Sequence, residues 1–276
     1  MHPIERLRFI ARADGEPASL LAIEAAYTLA DLTSYEPNAV LTACRRLLDK
    51  HPACGPLWWV AARSVGAGDP PAAARQAAAE LCSDATSDRL AEVIRASFAG
   101  GETYALGTPC EVAIEALQRS RAGTAHVIGS AQSVRRAARS AAASGIEDLV
   151  GYLSGEEDEA LEGAGVVIVE ALAAGASACV LTPESADLVA AAGRGTMPVW
   201  LVAGVGRVLP EVLFQAVVDR TSAAGRSPGA AAAATPVGYE AFALAIMPAG
   251  SGVPDHLSKL AAGATPHGLE LLRRAV

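Results

Sequence analysis

The chain has 276 residues, 51% of them hydrophobic and 19% charged, so it buries a sizeable core as one or two domains and is not disordered as a whole. Its net charge is -8 with no long run of Lys and Arg, which excludes strong attraction to a nucleic-acid backbone and predicts no direct nucleic-acid binding. Aromatic residues are only 4% and alanine is abundant, so the apolar content favours closely packed helices, as in an enzyme or a helix-rich scaffold.

The five cysteines, Cys44, Cys54, Cys82, Cys110 and Cys179, form no C-x-x-C pair and have no histidine at ligand spacing. Neither a disulfide framework nor a metal site is predicted. The first twenty residues carry Glu5, Arg6, Arg8, Arg12 and Asp14, so they lack the apolar core of a signal peptide. The most apolar stretch, Ala164 to Ala178, is interrupted by Glu170 and is too short to cross a bilayer. The expectation is a reduced, cytoplasmic protein with no membrane partner.

From Ile4 to Phe98 the pattern is helical. Leu20, Leu21, Ile23, Ala26, Tyr27 and Leu29 recur at i, i+3 and i+4, and Val40, Leu41, Cys44, Leu47 and Leu48 repeat that face. Breaks at Asp14 to Pro17, Glu36-Pro37 and Gly66 to Pro71 separate the segments, with helix starts expected at Pro37 and after Asp69. After Gly100-Gly101 short apolar runs alternate with helical patterns. These are Thr103 to Leu106, then Cys110 to Arg121; His126 to Ile128, then Ser133 to Ser144; Val166 to Val169; Ala178 to Leu181, then Glu184 to Ala192; and Val199 to Val202, then Pro210 to Arg220. That alternation predicts crossover units and a parallel sheet. The fold class is therefore α/β: a helical N-terminal domain over 1–99 and a Rossmann-like, mostly parallel sheet flanked by helices over 100–276. Gly225 to Pro236 reads as a loop and Phe242 to Met247 as a last strand.

The phrase Gly101-Glu102-Thr103-Tyr104-Ala105-Leu106-Gly107-Thr108-Pro109-Cys110, followed by a helix ending Ala113-Ile114-Glu115-Ala116-Leu117, resembles a known family. It unites the α, β and δ subunits of translation initiation factor 2B with methylthioribose-1-phosphate and ribose-1,5-bisphosphate isomerases. Arg12 to Asp31, His51-Pro52-Ala53, Ser144-Gly145-Ile146 and Met197 to Ala203 match in order and spacing. The resemblance implies a Rossmann-like sheet with an added helical domain, homodimerisation through the α/β part, and a phosphorylated sugar or nucleotide at the carboxyl ends of the strands. In the isomerases of this family a Cys and an Asp act as acid and base at that edge. Here Thr108 stands at the reactive position, Gly129-Ser130 replaces the phosphate-holding Arg-Pro, Val169-Glu170-Ala171 replaces Gly-Ala-Asp, and Leu181-Thr182 replaces Asn-Lys. Most of the catalytic apparatus is missing.

Thr108-Pro109-Cys110-Glu111 reads as a capping box, with Thr108 at the N-cap and Cys110 at the second helical position, where the helix dipole lowers a thiol pKa. Cys110 is thus either an inert residue behind a cap or an acid/base displaced by two residues. Thr182-Pro183-Glu184 repeats the arrangement; the carboxylates of Glu111 and Glu184 at two helix starts argue against a bisphosphorylated ligand. Glu170, closing a buried strand, is the other catalytic candidate, or else reaches a solvent cleft or pairs with a neighbour such as Arg194 or Arg207. Gly204, Gly206 and Arg207 form a glycine turn that either meets a ligand or only turns the chain; with Leu209 in place of a third glycine, the full dinucleotide-binding pattern is not met. Thr108, Thr182, Gly204, Gly206 and Arg207 are the ligand-binding candidates. Trp58-Trp59 reads as core, His51, His126 and His267 receive no role, and no cofactor is implied. Two functions follow: a bacterial, non-catalytic, homodimeric regulatory or binding scaffold that takes a small phosphorylated ligand or a protein partner, or an aldose–ketose isomerase using Cys110 and Glu170.

Overall fold

The computed structural model describes residues 2–13, 15–121, 123–146, 148–224, 234–265 and 267–272. Six helices come first: α1 (Pro3–Ile10), α2 (Ala18–Tyr35), α3 (Val40–Lys50), α4 (Gly55–Gly66), α5 (Pro70–Cys82) and α6 (Thr86–Ser97). Alanines set their packing. α2 packs on α5; the buried residues of α2 include Ala22, Ala25, Ala26 and Leu29 and those of α5 are Ala74, Ala77, Ala78 and Leu81, and side chains this small let two backbones approach closely. Asp69 caps α5 by accepting from the Ala72 N–H at 3.1 Å, with Pro70 at the first helical position. At Pro37 the expected helix opens as a three-residue 3-10 turn, and α3 proper begins at Val40.

The strands of the main sheet are β1 (Thr103–Gly107), β2 (Thr124–Gly129), β3 (Leu149–Leu153), β4 (Ala164–Glu170), β7 (Val199–Val202), β9 (Leu244–Met247) and β10 (Gly250–Gly252). Their order is β10-β9-β7-β4-β1-β2-β3, parallel throughout except for β10, which pairs antiparallel with β9 at one edge. The connecting helices are α7 (Glu111–Ser120), α8 (Ala131–Ala143), α9 (Glu157–Leu161), α10 (Pro183–Arg194), α11 (Glu211–Ala224) and α12 (Asp255–Gly263). β4 is central, and Val166 to Glu170 is buried on both faces, as a continuous apolar run in a parallel sheet requires.

Three sequence expectations are corrected. Ala178–Leu181 is a strand, β6, but it belongs to a separate three-stranded antiparallel sheet with β5 (Ala173–Ala174) and β8 (Thr235–Gly238). The strand expected from Phe242 starts at Leu244 and is followed by β10. Of the loop expected over Gly225 to Pro236, residues 225–233 lie outside the described residues, and Thr235 and Pro236 already pair with β6. Pro236 is tolerated because β8 is an edge strand, where a missing N–H costs no ladder bond.

Packing crosses the chain position near residue 99 in both directions. One core cluster joins α1 to α5 with Leu213, Phe214 and Val217 of α11, and with Ala173 and Val180 of the small sheet. Another joins Leu90, Ala91 and Ile94 of α6 to Ile114 and Leu117 of α7 and to Tyr104, Val166 and Trp200 of the sheet. No helix among the described residues is long and apolar enough to cross a membrane.

Candidate functional site

The strand order reverses at β1: the chain runs outward through β2 and β3, then returns to place β4 on the other side. In an open α/β sheet the crevice beyond the carboxyl ends at such a reversal is where ligands bind. Here the residues in that position are Gly107 and Thr108 after β1 and Glu170 at the end of β4.

Glu170 is 1% exposed. Its Oε1 accepts hydrogen bonds from the Val112 N–H at 2.7 Å and the Ala113 N–H at 3.1 Å, two of the donors that the first turn of α7 leaves unpaired. Its Oε2 lies 3.5 Å from Nη2 of the buried Arg207, without a hydrogen bond, and has no other partner among the described residues. Arg207 Nη1 donates to the Ala171 carbonyl. Burial pushes the Glu170 carboxyl from its ordinary 4.5 up to about 8, Glu111 adds to the rise, and Arg207 and the two N–H donors oppose it. Of the two partners weighed for Glu170, Arg207 is the one it meets; Arg194 pairs with Asp158 instead, at 3.1 Å.

The capping box does not form. Across a cis Thr108–Pro109 peptide the helix starts at Glu111, so Cys110 is the N-cap rather than the second helical residue, and it provides no side-chain cap. Glu170, reaching over from β4, takes the capping role. Cys110 is buried, and its thiol is raised well above the usual value by burial, then by Glu111 and Glu170. The lowered pKa expected for a thiol inside the first turn is thus reversed in direction.

Thr108 and Thr182 come together. Thr182 caps α10 by accepting from the Ser185 N–H at 3.3 Å, and its Oγ1 donates to the Thr108 carbonyl at 2.7 Å. Ser185 Oγ donates to the same carbonyl at 2.8 Å. Gly129, at the end of β2, has no side chain because the Thr108 hydroxyl occupies the space that one would need.

Gly204 and Gly206 sit elsewhere. Their turn packs on the helical part: the Val205 N–H donates to Asp84 Oδ2 at 2.8 Å, and Gly206, at φ +75°, has Pro56 Cα 3.1 Å from where a Cβ would stand. Asp84 Oδ1 in turn accepts from the Thr86 N–H and hydroxyl. The position a ligand anion would take at this turn holds the protein's own carboxylate.

A cleft of about 770 Å³ opens beside the reversal point. It is lined by Thr108 and Thr182, by Cys110, Glu111 and Ile114 at the start of α7, by Glu184 of α10 and by Gly15 to Pro17. One face of α8 completes the lining with Gln132, Ser133, Arg136, Arg139 and Ser140. The Arg136 guanidinium packs where a Cβ on Gly15 would lie, and Gly15 adopts φ +74°. Glu170, Gly204, Gly206 and Arg207 do not line this cleft. The α8 face and Asp84 were missed in the sequence. The first has a signal, a polar stripe at helical spacing directly after the β2 carboxyl end; the second has only a local one, an Asp two residues before the Thr86 N–H it accepts from, while its partner Val205 is 121 residues away.

No protein-family model matches the chain, and no curated protein matches it in sequence. Solved structures match its fold. Translation initiation factor eIF-2B from Pyrococcus horikoshii OT3 superposes with a TM-score of 0.71 at 15% identity, covering 92% of this chain and 98% of that one. For eIF2B beta from Chaetomium thermophilum the values are 0.67, 15%, 97% and 92%. For 5-methylthioribose 1-phosphate isomerase from Pyrococcus horikoshii OT3 they are 0.62, 12%, 94% and 87%. The chain therefore has the fold that initiation factor 2B subunits share with this isomerase.

Proposed function

We propose that this protein is a non-catalytic member of that structural group, a homodimeric regulatory or ligand-binding scaffold acting in the cytoplasm. The observation that carries the reading is the Glu170 carboxyl group seated on the N–H groups of α7. Moving a proton between neighbouring carbons of an aldose phosphate needs two ionisable groups facing each other over the substrate. Glu170 is shut beneath the cleft, one oxygen bound to α7 and the other beside Arg207, while Cys110 borders the cleft with its thiol held protonated. Gly204, Gly206 and Arg207 act in this reading as structural residues, and Thr108 and Thr182 as part of the lining of a binding cleft.

The test is turnover. Purified protein at saturating ribose-1,5-bisphosphate or methylthioribose-1-phosphate is expected to form no ketose product. Turnover that disappears in both Cys110→Ser and Glu170→Gln would install the isomerase reading, which the fold of 5-methylthioribose 1-phosphate isomerase keeps as the alternative. Homodimerisation draws support from a similar fold in the tetrameric eIF2B-beta2-delta2 complex from C. thermophilum, at a TM-score of 0.67 and 14% identity. Light scattering that finds a 28.0 kDa species at micromolar concentration would refute it for this chain.

A further inference from the structure

The charges of the cleft are sorted by element and by depth. Arg136, half-buried, and Arg139, exposed, stand one helical turn apart on α8; Glu111 of α7 and Glu184 of α10, both half-buried, line the same cleft, as does the exposed Glu16. Guanidinium groups three residues apart on a helix share a face, so both reach one dianion, and fork-shaped donors suit phosphate oxygens. Two half-buried carboxylates on other elements of the lining repel a second phosphate and attract an ammonium, more strongly than exposed charges do because water screens them less. The α8 face also presents Gln132, Ser133 and Ser140, neutral groups that hydrogen-bond hydroxyls. The volume of about 770 Å³ is that of a small-molecule site.

We infer that this cleft binds a zwitterionic polyhydroxy ligand of the amino-sugar monophosphate class, its phosphate toward Arg136 and Arg139 and its ammonium toward Glu111 and Glu184. The inference rests on the cleft being the binding site of the scaffold, and its failure is separate from the failure of that reading, which turnover and light scattering decide.

Calorimetric titration with four probes tests it: glucosamine 6-phosphate, glucose 6-phosphate, glucosamine and ribose 1,5-bisphosphate. Glucosamine 6-phosphate is expected to bind at least about tenfold more tightly than each of the other three. In the double variant Glu111→Gln, Glu184→Gln its advantage over glucose 6-phosphate should vanish, and in Arg136→Gln its advantage over glucosamine should shrink. The wild-type ranking decides the matter even if a variant fails to fold. Equal or tighter binding of glucose 6-phosphate or of the bisphosphate, or binding of none of the four, overturns the inference.

Discussion

A carboxylate removed from water persists only where other groups replace the water, and Glu170 has two backbone N–H donors and one guanidinium for that purpose. The replacement is incomplete, and burial leaves its pKa near 8 instead of 4.5. Between those values the folded protein binds a proton that the unfolded chain has released, so this group's contribution to stability falls as pH rises through that window and is constant above it. Urea midpoints at pH 5 and pH 8 should show the fall, with a slope of at most about 1.4 kcal/mol per pH unit from this one group. Glu170→Gln keeps an acceptor for α7 and should flatten the slope; an equal slope in the variant would assign it to other residues. Glu170→Leu removes the acceptor and leaves the Val112 and Ala113 N–H groups without it, so it should cost about 1–3 kcal/mol. The end-of-strand position of Glu170 was legible in the sequence because the apolar run Val166 to Val169 stops there. The register of Cys110 was not. Thr108-Pro109-Cys110-Glu111 satisfies local capping rules with the helix beginning at Pro109, and the group that decides for Glu111 instead lies 58 residues downstream of Val112.

Short elements are read from pattern, and pattern states which side of an element is apolar without naming what covers it. The runs Val166 to Val169 and Val199 to Val202 are apolar on both faces, which only an interior strand of a covered sheet requires, and both lie there. Leu149–Leu153 went unread because an edge strand with Val150, Gly151 and Leu153 exposed has neither a continuous apolar run nor a clean alternation. Ala178–Leu181 was read as a strand but given the wrong sheet, since four small apolar residues look the same in either. At this scale Asp84 ties two elements: its carboxylate joins the start of α6 to the turn after β7. Hydrogen bonds to a charged group contribute ~1.5–3 kcal/mol, so Asp84→Ala should lower stability by about 2–3 kcal/mol. Asp84→Asn should recover little of it, because its amide turns a donor toward either the Val205 N–H or the Thr86 N–H, both donors themselves. Thermal melts of the two variants check this; an Asn variant as stable as the wild type would show that the turn is held by other contacts.

At the scale of the whole molecule, the change from a 3.6-residue period to alternating strands and helices at Gly100-Gly101 marked where the sheet begins, and the first strand among the described residues starts at Thr103. What periodicity does not carry is partnership: α6, early in the chain, covers the sheet, and α11, late in the chain, completes the helical bundle. This exchange predicts that the two parts fold as one. Leu209, Leu213, Phe214 and Val217 are all nearly fully buried, and they pack in the cluster that contains Leu29, Leu57 and Trp58. Each such side chain contributes about 1.5–3 kcal/mol by burial, so removing the first helices would forfeit roughly 6–12 kcal/mol from these four alone, as much as the entire stability of an ordinary domain. A chain cut to residues 100–276 also loses α6 from the sheet face that holds Tyr104 and Trp200. We therefore expect that fragment to be insoluble or unfolded, and the full chain to unfold in a single calorimetric transition. A soluble 100–276 fragment with dispersed amide resonances, or two resolved transitions in the full chain, would mean that the bundle and the sheet hold their own cores and that the exchange of α6 and α11 is a contact between finished domains.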